Sequence, residues 1–200
     1  MAHAYATDSP ERKYVPLVLA TLAIAGAFVT FRVLQASQIE APWWIGPPDT
    51  MALYALFYWV FDRFVWKWRI TRVLGLTRVP DLSGYWRGHV QPAAAPGASA
   101  GLSTPIEITL SIKQTWTAIL VMAETNQSRS HSLSAAIVVA DHEGISYEYA
   151  NEPTAAAPLT MHAHHGVVRL MISASRTVLE GEYYSGRDRQ NIGSIRVARS

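Results

Sequence analysis

No residue between Val15 and Phe31 carries a charge, and the stretch from Leu17 to Val29 is almost entirely Leu, Ala, Val, Ile and Phe. A helix rises about 1.5 Å per residue, so Tyr14 to Leu34 covers roughly 30 Å, the hydrocarbon thickness of a bilayer. The run is long for a signal peptide, and no Ala-x-Ala site leads into an obviously mature secreted domain. The expectation is a retained anchor: a tail over residues 1–13, then a first transmembrane helix over 14–34.

A second apolar stretch follows Pro47-Pro48-Asp49-Thr50, where the prolines end any preceding helix and Asp49 or Thr50 can cap a new one. It runs from Met51 through Phe61 and on past Asp62-Arg63 to Trp66 and Trp68, which predicts a second crossing over 50–68. The Asp62-Arg63 pair interrupts it near one end, while Tyr58, Trp59, Trp66 and Trp68 suit an aromatic belt. A buried helical hairpin in a soluble protein is the alternative. Basic residues set the direction: Arg12 and Lys13 precede the first run, and Arg63, Lys67, Arg69, Arg72 and Arg78 follow or close the second. The 35–49 loop carries no Lys or Arg, so it is expected outside, in the periplasm, with both chain ends in the cytoplasm. Arg32 alone opposes this. Residues 69–80 read as a juxtamembrane linker and residues 81–200 as a cytoplasmic domain.

That domain is written in short alternating runs separated by turn residues, with no helical pattern. Eight strands are expected, near Gly84 to Gln91, Pro105 to Gln114, Trp116 to Glu124, Ser130 to Ala140, Ile145 to Asn151, Val167 to Ala174, Val178 to Tyr184 and Ile192 to Ala198. Pro92 to Gly101 and Pro153 to Pro158 are low-complexity loops. The fold class is therefore a membrane helical hairpin followed by an all-β, eight-stranded antiparallel up-and-down barrel, which has room for one small ligand; a sandwich is the other solution. Gly84-Tyr85-Trp86 resembles the Gly-x-Trp that opens the first strand of lipocalin-like barrels, a resemblance that implies a Trp in the barrel floor with Arg196 on the last strand available to pack on it; a simple core Trp explains the same residues.

Composition narrows the chemistry. The chain has no Cys, which removes disulfides, thiolate metal sites and cysteine nucleophiles. From Asp81 onward nine Lys and Arg face ten Asp and Glu, so the strand domain lacks the basic excess of a DNA or RNA binder, and the basic residues cluster beside the membrane segments. No catalytic motif is present, and Glu180 with Glu182 is a commonplace alternation, so no enzyme activity is expected. His162, His164 and His165 would fall on both faces of a strand, which does not converge on a metal. Two arginines flank an aspartate in Ser185-Gly-Arg-Asp-Arg189, where Arg187 and Arg189 could grip phosphate in bidentate fashion, although a hairpin turn with a local ion pair explains the same residues. Tyr149 and Asn151 share a face with Tyr147. With Trp116, they could stack on and hydrogen-bond a nucleobase or ribose, or be ordinary core residues.

Taken in order, the two apolar segments, Pro80-Asp-Leu-Ser-Gly-Tyr-Trp86, Tyr149-x-Asn151-x-Pro153, and Gly181-Glu-Tyr-Tyr-Ser-Gly-Arg-Asp-Arg189 with Gly193 resemble the two-transmembrane, β-strand-rich effector family of CBASS, the bacterial anti-phage system signalled by cyclic oligonucleotides. The resemblance covers nearly the full chain. It implies a barrel that binds a cyclic dinucleotide made by a partner cyclic-nucleotide synthase, with no cofactor and no metal. It also implies ligand-driven homo-oligomerisation and transmembrane segments that then disrupt the bacterial inner membrane. Under it, Arg187 and Arg189 would hold phosphate, and Tyr149, Asn151 and Trp116 the base or ribose. A membrane-anchored lipocalin-like binder of an apolar ligand and a tethered adaptor recruiting a partner through an open strand edge are the competing readings.

Overall fold

The computed structural model describes residues 1–38, 47–93, 104–140, 142–157, 162–186 and 191–200. They divide into two compact units, residues 9–78 and residues 1–8 together with 79–200.

In the first unit, helix α1 spans Glu11–Ala36 and helix α2 spans Pro47–Arg63, and the two pack against each other. Val15, Leu19 and Ala23, one helical turn apart, form the buried stripe of α1, and Gly26 leaves just enough room for Leu53 of α2. The rest of α1 is apolar and faces outward: Leu17 is 68% exposed and Ile24 and Phe28 are each 62% exposed. A soluble hairpin hides such side chains; a surface of this kind fits lipid. Among the described residues α1 alone is long and apolar enough to cross a membrane. α2, at seventeen residues, covers only about 25 Å as a helix.

The sequence suggests a helix reaching Trp68, but α2 stops at Arg63. A 3-10 turn follows at Val65–Lys67, Trp68 is extended, and a short helix α3 spans Arg69–Val73. Two threonines explain the break, because their hydroxyls take carbonyls that a continuing helix would have used. Thr71 Oγ1 donates to Trp68 O at 2.7 Å, and Thr77 Oγ1 donates to Trp66 O at 3.2 Å. Trp66 is wholly buried beside this knot. The fully buried Glu11 carboxylate closes the unit, accepting from Ser9 Oγ at 2.8 Å and from the Arg78 backbone N–H.

The second unit begins with two short strands, β1 (His3–Ala4) and β2 (Ala6–Thr7), which the sequence pattern did not suggest. Eight longer strands follow: β3 (Gly84–Pro92), β4 (Ile106–Gln114), β5 (Ala118–Glu124), β6 (Ser128–Val138), β7 (Gly144–Pro153), β8 (His164–Ile172), β9 (Val178–Ser185) and β10 (Ile192–Arg199). Each pairs antiparallel with the next, β10 returns to β3, and β5 meets β6, so the ring is closed. It is an up-and-down barrel and not a sandwich. The adaptor reading loses its open edge.

Alternation decides what fills the ring. Trp86 and Val90 on β3, Ile108, Leu110, Ile112 and Gln114 on β4, and Ile145, Tyr147, Tyr149 and Asn151 on β7 are buried at every second position. At one end, the foot, the filling is apolar and closed by Trp86 and Trp116, both buried. Trp86 is completely buried and its Nε1–H donates to Leu82 O at 2.9 Å. Gln114 accepts from Leu82 N at 2.8 Å and donates to Pro80 O at 3.1 Å, tying the chain that enters β3 across the foot. The arginine over Trp86 is Arg199, with its guanidinium 4.7 Å from the ring centroid, and not Arg196, which pairs with Glu180 across β9 and β10 at 2.8 Å. The reason is phase: Arg196 alternates with the inward Ile195 and Val197 and so points out, whereas Arg199 stands opposite Trp86 at the strand end.

Trp86→Ala is expected to remove about 3–5 kcal/mol of stability, as large-to-small changes in a packed core do, measured by urea unfolding of the solubilised chain. Arg199→Ala, which loses an exposed cation–ring contact and a hydrogen bond to Asp81 O at 2.7 Å, should cost about 0.5–1.5 kcal/mol by the same measurement.

Candidate functional site

At the end of the barrel opposite Trp86 the filling changes from apolar to mixed, and a cavity of about 210 Å³ opens. Its walls are Val90, Ile106, Ile108, Ala123, Val168 and Ile195; polar groups stand among and above them, including Gln127, Ser128, Ser130, Asn151, His164 and Asn191. Three tyrosines, Tyr147, Tyr149 and Tyr183, reach into it from β7 and β9. The mixture of apolar wall and a few convergent polar groups is what small-ligand sites share. No Lys or Arg is among the described residues that line it.

Two glycines make room for the tyrosine rings. Gly166 on β8 is the register partner of Tyr149, and a Cβ there would lie 2.4 Å from the Tyr149 hydroxyl oxygen. Gly193 on β10 is the register partner of Tyr183, and a Cβ there would lie 2.4 Å from Tyr183 Cε1. Each ring thus lies over a residue without a side chain, so two large groups fit inside a narrow ring. Tyr149 also meets His164 edge to face, with centroids 6.2 Å apart and planes at 78°. Tyr147 lies deeper. The side chain is 4% exposed, and burial, with the neighbouring Tyr149, pushes its pKa well above the ordinary value near 10.

The rim is fixed by turns. Thr125 Oγ1 accepts from Gln127 N at 3.2 Å and from Ser128 N at 3.0 Å, which holds the β5–β6 turn. Ser185 Oγ donates to Asn191 O at 3.1 Å and accepts from Asn191 N at 2.9 Å, pinning the two residues between which the β9–β10 connection leaves and returns.

Of the five residues picked from the sequence, the structure brings Tyr149 and Asn151 together at the cavity. Arg187 and Arg189, with Asp188 between them, lie outside the described residues. Trp116 is at the other end: it sits in the β4–β5 turn beside the foot, is 1% exposed, and is not part of the cavity lining. Trp116 therefore lies apart from Tyr149 and Asn151. β4 and β5 run the full height of the barrel, so the turn that joins them lies a strand's length from the mouth. The sequence reading missed Tyr183, Gln127 and Asn191. Tyr183 was legible in principle, since it alternates in phase with the buried Leu179 and faces Gly193.

Other clusters resolve into structural roles. His164 lines the cavity while His165 points outward, and no group of metal-ligating side chains occurs among the described residues. Glu180 and Glu182 are on the outer face, the first bonded to Arg196 and the second accepting from the Tyr184 hydroxyl.

A family model described as the Cap15 cyclic dinucleotide receptor domain matches residues 77–199, the whole eight-stranded ring. The chain belongs to the Cap15 family. A second model, described as the Cap15 TM helices, matches residues 13–67, which agrees with the outward apolar face of α1 and marks the protein as membrane-associated. Among curated proteins, "CD-NTase-associated protein 15" of Staphylococcus schleiferi is 24% identical over 138 residues, 68% of this chain and 69% of its own length. The resemblance read from the sequence is thereby shown: this is a CBASS effector of the Cap15 type, with a cyclic dinucleotide receptor domain behind its membrane helices.

Gly166→Ala is expected to force Tyr149 from its seat at a cost of about 1–3 kcal/mol, because the new methyl also meets the Tyr184 carbonyl at 2.4 Å; thermal unfolding reads the loss. The raised pKa of Tyr147 has a sign that can be checked. Its stabilising contribution is complete below the unfolded value near 10 and is lost as pH rises toward the higher folded value. Wild type should therefore lose stability between pH 10 and 11 more steeply than Tyr147→Phe, followed by urea unfolding at stepped pH.

Proposed function

We infer that the mouth cavity is where the cyclic dinucleotide binds, with Tyr149 and Asn151, joined by Tyr183, contacting base and ribose. The observation that carries this reading is the placement of three tyrosines and the amides of Asn151, Gln127 and Asn191 around one apolar-walled opening, within the segment matched as the receptor domain. Tyrosine faces stack on any base, and amides read base edges. A cavity of about 210 Å³ is below the roughly 300–1,000 Å³ of most small-molecule sites. One base would enter it, and the phosphates and second base would stand at the rim. Positive charge for the phosphates would come from Arg187 and Arg189, which follow Ser185 and precede Asn191, both residues of the rim. An apolar ligand of the lipocalin type is disfavoured by the amides, which would be left unpaired against it.

Binding would then favour an assembly of several copies, and the membrane helices would be the output, disrupting the bacterial inner membrane to stop growth. A ligand can drive such assembly only through tighter binding to the assembly-competent state. The synthase that makes the ligand is the functional partner. The positive-inside pattern supports a two-pass arrangement with the barrel in the cytoplasm.

The test is calorimetric titration of the solubilised full chain with a panel of cyclic di- and trinucleotides. One member is expected to bind, Asn151→Ala to weaken it about tenfold, Arg187→Ala to weaken it tenfold or more, and Trp116→Phe to leave it unchanged. Failure of every member to bind, or equal loss on changing Trp116, would contradict the placement of the site.

A further inference from the structure

β5 and β6 close the ring over only three residue pairs, Met122 with His131, Ala123 with Ser130 and Glu124 with Arg129, all near the mouth. Toward the foot the strands part, and β6 carries a bulge between Ser132 and Ser134 that turns it away. Residues 3–8 fill the gap. β1 pairs antiparallel with β5, His3 opposite Ile119 and Ala4 opposite Ala118, and β2 pairs parallel with β6, Ala6 opposite Ala136 and Thr7 opposite Ile137.

The fit is specific along the whole segment. Tyr5 is 7% exposed, and its hydroxyl donates to Trp116 O at 2.8 Å. His3 Nε2 is 2.7 Å from Ser132 Oγ, and that same oxygen accepts from Val121 N at 3.0 Å, replacing a ladder bond lost where the strands diverge. The Asp8 carboxylate accepts from Val139 N at 2.8 Å and Ala140 N at 3.1 Å. An extended peptide held by backbone on two edges and by one inward side chain is strand addition. Neither family match, 13–67 or 77–199, includes these residues.

We propose that the β5–β6 seam is a peptide-binding site whose occupant is residues 3–8 of the same chain, and that ligand binding at the mouth releases this occupant. The edges of Ala118 and Ile119 on β5 and of Ala136 and Ile137 on β6 are used by the segment, so further pairing of β5 with β6 and seating of the segment exclude each other. The seam therefore has two discrete states, open with the segment in and zipped with it out. Its mouth half lines the cavity through Ala123, Thr125, Ser128 and Ser130. A ligand bridging both strands there favours the zipped state and shifts the balance. Ser9 follows the segment directly and α1 starts at Glu11, so release frees the residues that lead into the membrane helix. The coupling rests on the cavity being the nucleotide site; the seating does not.

The chain has no Cys, so Ala4→Cys with Ala118→Cys places the only two thiols on register partners. Their Cα atoms should be about 4.5–5.5 Å apart, within disulfide range. In the solubilised full chain, mild oxidation is expected to consume both thiols without forming a covalent dimer. The oxidised protein should bind the cyclic dinucleotide about tenfold more weakly than the reduced protein and fail to oligomerise with it, and reductant should restore both. Thiols that stay open to maleimide, or that link two copies, would overturn the seating. Equal binding and oligomerisation of oxidised and reduced protein would overturn the coupling. If the reduced and wild-type chains bind no cyclic dinucleotide, the coupling falls together with the cavity assignment, while the thiol result still decides whether the segment occupies the seam.

Discussion

Closure of the ring is the constraint on which the receptor unit depends, and it hangs on one short seam. Seven of the eight strand pairings run along most of their strands, but β5 and β6 share only three pairs. An unclosed edge of this length exposes unpaired N–H and C=O groups and invites another strand. The opening residues of the chain meet that demand, covering β5 and β6 at once, and Ser132 Oγ supplies the acceptor that β6 backbone no longer offers to Val121. The barrel is therefore built from two separated stretches of sequence with the membrane unit inserted between them.

Within the ring, alternation divides the interior into two layers of different chemistry. The foot is packed with Trp86, Leu110, Ile112, Leu179 and Val197. Toward the mouth the same inward positions change to Ser128, Ser130, Tyr149, Asn151 and Tyr183, and glycines at 166 and 193 relieve the crowding that three tyrosines would cause. A packed apolar foot beneath a polar mouth holds these side chains in place without loss of the core.

Much of this was legible in the sequence, because the period-two pattern is strong wherever one face of a strand is buried. All eight long strands begin and end within three residues of where the alternation puts them, and the Gly181 to Gly193 string that suggested the family contains the Tyr183–Gly193 pair that shapes the cavity. What could not be read was anything that depends on which strand ends share a side of the barrel. Trp116 and Tyr149 look equivalent as aromatic residues of strands, yet one belongs to a foot turn and the other to the mouth. Arg196 and Arg199 differ only in phase and position on β10. The pairing of residues 3–7 was hidden for another reason: two-residue strands have no period, and their partners lie more than a hundred residues away.

The central claim is that nucleotide recognition belongs to the mouth and not the foot. Hydrogen–deuterium exchange of the full chain with and without a bound cyclic dinucleotide tests it most directly. The account predicts the strongest added protection at residues 123–130, 147–151, 183–186 and 191–193 of the mouth, with no change at Trp86 and Gln114. Protection centred on the foot, or spread over the outward-facing side of β4 and β8 with the mouth unchanged, would contradict it.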